Sequence, residues 1–515
     1  MRIPARQEDP SPTPSDTADR PVEGAQPDGA PEMAASAKVV APEVTGGPVA
    51  VPRKRDKHLY QLDLFRLITF GSVILDHVIM GIAAPNDAIS GAFETLTRYS
   101  RFGFFFLTGF VLGYQYRSRE LKPVVFWRRR FKLIGIPYVT WSLFYWVYNR
   151  YRAGGSDAVK GAFDNVDHVL LSLKSMAYDL VTGNAMYHLY FLFVSMQIYL
   201  VFPLVLWVLK RTWGYHRYLL AVSFALHMMV LYLMVRPQTG FLADGFPGVV
   251  WSHVVITLFP YQFYVLAGCI AALHFDAFHA ASVRWRAAIF GGGVAVIAAT
   301  LVYYAYKVHE GEDLFRATNV FMPHNAFGYI AIIAGLYGIG SVWRERRRPG
   351  SLADKLLKTA ADRSFGIYLA HALALGELRP LVVDAASDGD PTWWVSLWSF
   401  VGTVVLTVLI VEALRHSPLS LMTTGRAMVS WKDQQAVRWA AYGVAAVVVG
   451  LVLRAGFGIL AGDVTAISGL LMIASAALVA ARQWDAARHR TGSSVAEVDA
   501  QPSDGGLGKK NATRR

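Results

Sequence analysis

Charge and cysteine are both scarce in this chain of 515 residues. Only 17% of its residues are charged, against 54% hydrophobic. A water-soluble protein of this size carries more charge and shorter apolar runs, so the composition excludes an ordinary soluble domain. One cysteine, Cys269, excludes an intramolecular disulfide and any Cys-rich metal site, and no metal is expected. HExxH, P-loop and GxSxG patterns are all missing, and the glycines at 291–293 open an apolar run instead of following a strand. No apolar core follows the first methionine closely enough for a signal peptide. No internal repeat is visible, which weighs against transporter folds built from paired halves. The net charge of +13 comes from basic residues at the ends of apolar runs and in short loops. That is the pattern of membrane topology, not of nucleic-acid binding.

Apolar runs of about twenty residues recur from 60 to 485, which predicts an all-α polytopic membrane protein. Twelve spans are expected, at about 61–82, 102–116, 133–149, 187–209, 218–235, 251–273, 287–306, 323–343, 364–383, 393–414, 437–459 and 464–483. Residues 1–56 are rich in Pro, Ala, Gly and acids and read as a disordered tail. The basic patch Arg53-Lys54-Arg55-Asp56-Lys57 then abuts the first span, which puts the N-terminus in the cytoplasm. Basic loops after the second, fourth, sixth and eighth spans keep the alternation, and an even count returns the C-terminus to the same side. Residues 57–430 read as the main membrane domain, 431–486 as two additional helices and 487–515 as a second disordered tail. An amphipathic segment near 166–181 fits the outer surface.

The first span, LYQLDLFRLITFGSVILDHVIMGI, carries Asp63, Arg66, Asp76 and His77. At about 100° and 1.5 Å per residue, Arg66 and His77 fall within roughly 20° of one helix face, about 16 Å apart. Charged groups at such depth cost on the order of 2.5–3.5 kcal/mol each and usually face a protein interior or wet cavity. Arg66 alone reads equally as a snorkelling anchor, and His77 alone as a histidine bonded to a neighbouring helix. Together on one stripe they favour chemistry. Asp76 points about 100° away from His77, so a residue from another span is the better orienting partner.

Four further stretches carry groups that a lipid-facing helix avoids. Residues 101–110, RFGFFFLTGF, read as a tightly packed helix whose Thr108-Gly109 pair allows close approach. Residues 126–138, FWRRRFKLIGIPY, crowd Arg128, Arg129, Arg130 and Lys132 at one membrane surface. Such a cluster either anchors topology or holds phosphates through guanidinium contacts. His188 is a second site histidine or a member of an aromatic belt. His371, midway through the ninth span, is a functional candidate or an interhelical hydrogen bond.

Taken in order, these pieces resemble the acyltransferase-3 family of integral membrane O-acyltransferases. The matching text is Asp63-x-x-Arg66 with His77 eleven residues on, FFFLTGF at 104–110, FWRRRFKLIGIPY, YHLYFLFVSMQIYLVFPL at 187–204, SFGIYLAH at 364–371, and Glu412. It covers roughly 60–415, and the YHLYF and IPY forms look most like a Gram-positive branch that modifies envelope glycans. The resemblance implies a ten-helix acyltransferase core plus two helices. It also implies transfer of an acyl group, usually acetyl from cytoplasmic acetyl-CoA, to a hydroxyl of an extracytoplasmic sugar or glycolipid.

On this chain the resemblance makes His77 the essential histidine, Arg66 its partner, and Arg129, Arg130 and Lys132 the seat of the donor's phosphates. Asp76, Asp63, His188, His371 and Glu412 are the remaining site candidates. The family's Arg-x-x-Arg becomes Arg129-x-x-Lys132, since Leu133 follows Arg130 by three, and its Ser-Gly pair is Thr108-Gly109. No esterase-like appendage fits, and Arg454 in the eleventh span has no role in the resemblance. A neutral His77 would serve as general base or carry the acyl group. Arg66 would bind the donor or stabilise charge on the thioester oxygen. The competing reading is a transporter or flippase of a glycan or lipid, and a third is a scaffold in an envelope complex.

Overall fold

The computed structural model describes residues 58–82, 87–238, 240–387 and 392–499. The N-terminal segment 1–56 and residues 500–515, both expected as tails, lie outside them. Every regular element among the described residues is helical. The first half of the chain runs α1 (Tyr60–Ile82), α2 (Ala88–Thr97), α3 (Tyr99–Tyr116), α4 (Pro123–Gly161), α5 (Val166–Thr182), α6 (Tyr190–Arg211), α7 (His216–Met234), α8 (Gly245–Ser252) and α9 (Gln262–Leu273). It continues with α10 (Phe275–Arg284), α11 (Arg286–His309), α12 (Leu314–Ala317), α13 (Asn325–Arg346), α14 (Leu352–Ser387), α15 (Thr392–Arg415), α16 (Ser420–Thr424), α17 (Ala436–Leu451) and α18 (Ala461–Asp499).

Among the described residues, eight helices are long and apolar enough to cross a membrane, or nine if one bent pair counts as a span. The expected segments 102–116, 133–149 and 364–383 are helical too, within α3, α4 and α14. They are less apolar, since they or their flanks carry Arg101 and Gln115, the basic run 128–132, or Asp362, Arg363, His371 and Glu377. Arg101, Arg130 and His371 lie on these less apolar helices, whereas Arg66 and His77 lie on α1, which is apolar enough to span.

The expected span 251–273 is not one helix. The chain there passes through α8 and two single turns, Val254–Ile256 and Phe259–Tyr261, before α9, and α9 meets α10 at 95°. Pro260 has no amide hydrogen to continue a helix, and Thr257 is extended. The backbone groups freed by the break are met by α6. Gln197 donates from Nε2 to the carbonyl of Ile256 at 2.7 Å and accepts at Oε1 from the amide of Leu258 at 3.1 Å. Within a membrane a broken helix survives only where such partners exist.

The C-terminal expectation also changes. Helix α18 runs on to Asp499, so residues 487–499 are helical where a disordered tail is expected. The Arg454 guanidinium pairs with Asp463 at 3.2 Å, closing the turn between α17 and α18. Helix α5, the amphipathic segment, begins at an Asn165 cap and ends at Gly183 in the left-handed conformation.

Helix α1 lies at the centre, packed against α2, α3, α13, α14 and α15. Without a hydrophobic drive between helices in lipid, close backbone packing does the holding. Helices α3 and α9 show it: a Cβ on Gly109 would lie 2.1 Å from the carbonyl oxygen of Val265, and one on Gly268 would lie 2.1 Å from that of Phe106. Gly109 of the Thr108-Gly109 pair therefore gives the close approach read from the sequence, and buried Cys269 donates its thiol to the Gly109 carbonyl at 3.4 Å.

Candidate active site

Two histidines 294 positions apart meet in the interior. His77 Nδ1 of α1 lies 2.9 Å from His371 Nε2 of α14, and the two ring planes are within 7° of each other. The protons follow from the partners. His371 Nδ1 faces the carbonyl of Tyr368 at 2.6 Å, and a carbonyl only accepts, so that nitrogen carries a hydrogen. In the neutral ring His371 Nε2 is then an acceptor, and His77 Nδ1 must donate to it. His77 Nε2 is left as a lone pair with no hydrogen-bond partner among the described residues.

The surroundings lock this pair. Tyr145 of α4 donates its hydroxyl to the carbonyl of Leu369 at 2.8 Å and accepts from the amide of Leu373 at 3.2 Å, pinning α14 on either side of His371. His188 lies 4.8 Å from His371 ring to ring, with Tyr368 donating to its backbone carbonyl. Both His188 ring nitrogens are buried without a partner, so it belongs to this cluster and not to a surface belt. Tyr187 closes the other side, its ring 4.6 Å from that of His77.

His77 lines a small cavity of about 30 Å³ with Asp76, Arg98, Ser100, Arg101 and Tyr190. That is room for a water-sized group. Asp76 does not orient His77. It faces Arg98, whose Nε is 3.6 Å away, and accepts a 3.5 Å hydrogen bond from Thr97. Arg98 is itself committed to Glu94 and to both oxygens of Thr318.

Arg66 lines a second, larger cavity of about 250 Å³, together with Arg130, Arg426, Thr108, Ser195 and Tyr199. Arg66 has no hydrogen bond or ion pair among the described residues, so its guanidinium is available to a ligand. Arg130 donates to Gln115 at 2.6 Å and stands over the rings of Phe126 and Tyr199. Arg129 and Lys132, the other expected phosphate holders, are exposed and line neither cavity. One turn of helix turns Arg130 inward and its neighbours out.

Phe104, Phe191 and Tyr368 border both cavities. With Phe70 they form a connected aromatic wall, with centroids 4.4 Å apart for Phe70 and Phe104, 5.5 Å for Phe104 and Phe191, and 5.6 Å for Phe191 and Tyr368. Arg66 and His77 share a helix face, as their spacing predicts, yet this wall stands between them.

The remaining candidates, Asp63 and Glu412, line neither cavity and are held in ion pairs. Asp63 pairs with His58 at 2.6 Å. Glu412 pairs with Arg363 at 2.7 Å, and Arg363 with Asp362 at 2.5 Å. Asp362 in turn holds Arg415 at 2.9 Å and Arg426 at 3.3 Å. Arg426 is the cation that sequence reasoning missed. It follows Gly425, whose φ of +64° and contact with the carbonyl of Leu133 exclude a side chain, and the turn delivers the arginine to the cavity. No periodic pattern marks it. Arg101 opens the stretch 101–110, whose sequence reads as packing alone. Among the described residues, no cluster of three or more His, Cys, Asp or Glu side chains is placed to hold a metal.

A histidine with a fixed tautomer, near a cavity lined by three arginines, is an arrangement able to move a proton beside a bound anionic group. Comparison with curated proteins and with solved structures gives no match. The family model for an acyltransferase domain, that of acyltransferase-3, matches residues 59–412, well over half of the chain and every residue of both cavities except Arg426. The chain therefore belongs to the acyltransferase-3 family of integral membrane acyltransferases.

Proposed function

We propose that the protein transfers an acetyl group from acetyl-CoA to a hydroxyl of an extracytoplasmic glycan or glycolipid. In this reading the chain crosses the membrane twelve times, with both termini in the cytoplasm; residues 57–430 carry the chemistry and 431–486 add two helices. The observation that carries it is the His77–His371 pair, 2.9 Å apart, with its one uncommitted nitrogen on the cavity side.

Arg66, Arg130 and Arg426 suit the donor's phosphates, since guanidinium forks match phosphate oxygens and are always charged. Their cavity, about 250 Å³, is below the roughly 300–1,000 Å³ usual for a whole small-molecule site, so it seats part of the donor. The thioester then reaches His77 past the aromatic wall. His77 Nε2 takes the proton of the acceptor hydroxyl as the oxygen attacks the thioester carbonyl carbon. The carbon–sulfur bond breaks, and the thiolate leaves as a thiol with the proton from His77. His371 accepts from His77 Nδ1 throughout, which keeps the base in one tautomer and orientation. The acceptor enters as a bulky polar molecule from the side of His77.

Mass spectrometry of envelope glycans and lipids tests this in cells with the intact protein, a deletion, and His77→Ala. An acetyl adduct present with the intact protein and missing in both variants is the expected result, and the adduct identifies the acceptor. Identical masses in all three, with only the location of an unmodified polymer altered on deletion, would mean transport.

A further inference from the structure

We infer that Arg101 stabilises the oxyanion of the transfer step, a role that rests on the reading just given and that the position of Arg66 leaves vacant. When the acceptor oxygen bonds to the thioester carbon, the carbonyl electron pair moves onto its oxygen. The site must meet that negative charge with a fixed donor close to the base. When the intermediate collapses, the pair re-forms the carbonyl and the carbon–sulfur bond breaks. Arg66 shares His77's stripe on α1 but lines the other cavity, beyond Phe104, Phe191 and Tyr368.

Two cations share the cavity with His77, and they differ in how they are held. Arg98 is spoken for by Glu94, Asp76 and Thr318. Arg101 has no ion-pair partner among the described residues. It is placed instead by ring faces, with its guanidinium carbon 5.4 Å from the centroid of Tyr190 and 5.5 Å from that of Phe321. Contact with a ring face fixes the plane of a guanidinium, and the hydrogen bond beside it is with the neutral phenol of Tyr261, so no carboxylate holds its N–H groups. A carboxylate would have consumed them. A cation held by aromatic rings, in the same pocket as a base with an open lone pair, is an oxyanion site in composition and in placement. Its location on α3 supports this: one turn before, the Arg98 network fixes the helix start, and later Gly109 locks α3 onto α9.

The test uses inside-out membrane vesicles from cells that express the full chain, so that the native acceptor is present, supplied with acetyl-CoA labelled in the acetyl group. Incorporation of label is compared for the intact protein, Arg101→Gln, Arg101→Ala and His77→Ala, alongside the affinity of each purified protein for CoA. We expect Arg101→Gln to lower the maximal rate by about 10²- to 10³-fold, the range for loss of one oxyanion donor, with CoA affinity unchanged within about twofold. Added guanidinium ion should partly restore Arg101→Ala and leave His77→Ala inactive. A rate for Arg101→Gln within about threefold of the intact protein overturns the inference. So does a loss confined to CoA affinity, or one confined to the concentration dependence on acceptor, which would make Arg101 a binding residue. An intact protein that binds CoA yet incorporates no label refutes the acyl-transfer reading itself.

Discussion

Replacing His371 by leucine nearly preserves its volume while removing the single acceptor that faces His77 Nδ1. His371 Nε2 is the one hydrogen-bond partner of His77 Nδ1 among the described residues, and Asp76 is engaged by Arg98 and Thr97. His77 is then free to turn, or to move its hydrogen to Nε2 and lose its lone pair on the cavity side. In hydrolases whose base is oriented by a carboxylate, a wrong tautomer in intact geometry costs about 10⁴-fold in turnover. Outer-shell partners of bound histidines are worth roughly 10–100-fold. A neutral imidazole orients without adding charge, so the loss should lie between these, at about 10²- to 10³-fold, or roughly 2.7–4 kcal/mol at about 1.36 kcal/mol per decade. His371→Gln keeps an amide oxygen that can accept and should recover much of the rate. The assay is steady-state acetyl transfer by purified protein reconstituted with membrane extract, with thermal unfolding in detergent as the control for folding. The reasoning fails if His371→Leu turns over within about threefold of the intact protein. It also fails if Gln and Leu are equally inactive while both fold.

Three other outcomes follow from the geometry. Gly268→Val should drive a side chain into the Phe106 carbonyl and destabilise the α3–α9 contact by about 1–3 kcal/mol, read as a lower unfolding temperature in detergent. Gln197→Leu should leave the Ile256 carbonyl and the Leu258 amide unmet at the helix break, at about 1–3 kcal/mol for each group that stays dry, again read by thermal unfolding. Asp362→Asn should loosen Arg426 and raise the KM for acetyl-CoA by about 3- to 10-fold, matching roughly 0.5–1.5 kcal/mol for one partly exposed contact, with kcat little changed.

What the sequence made legible was local. Spacing along α1 placed Arg66 and His77 on one face correctly, because helix geometry alone decides that. It could not show the rings of α3, α6 and α14 crossing between them, since those contacts join residues far apart in the chain. His371 stood out as an ionisable group in an apolar run, but its partner lies 294 positions away. In the run 128–132 composition identified a cationic cluster. Which member turns inward is set by Gln115 and Tyr199, on other helices. The break before α9 carried its own warning in Pro260, overridden by the hydropathy of the surrounding residues. Arg426 left no trace because a glycine turn obeys no period.

The aromatic wall has an electrical consequence. An enzyme working as proposed, with a charged donor at one end and a hydrated sugar at the other, risks becoming a leak, because a continuous water file between its cavities would conduct protons down the membrane potential. Moving one elementary charge through 100 mV is worth about 2.3 kcal/mol, a steady drain if the path stays open. Phe104, Phe191 and Tyr368, with Phe70 beside them, put rings on the border that the two cavities share. At rest they insulate, and only an acyl arm, itself mostly uncharged, is suited to slip between them.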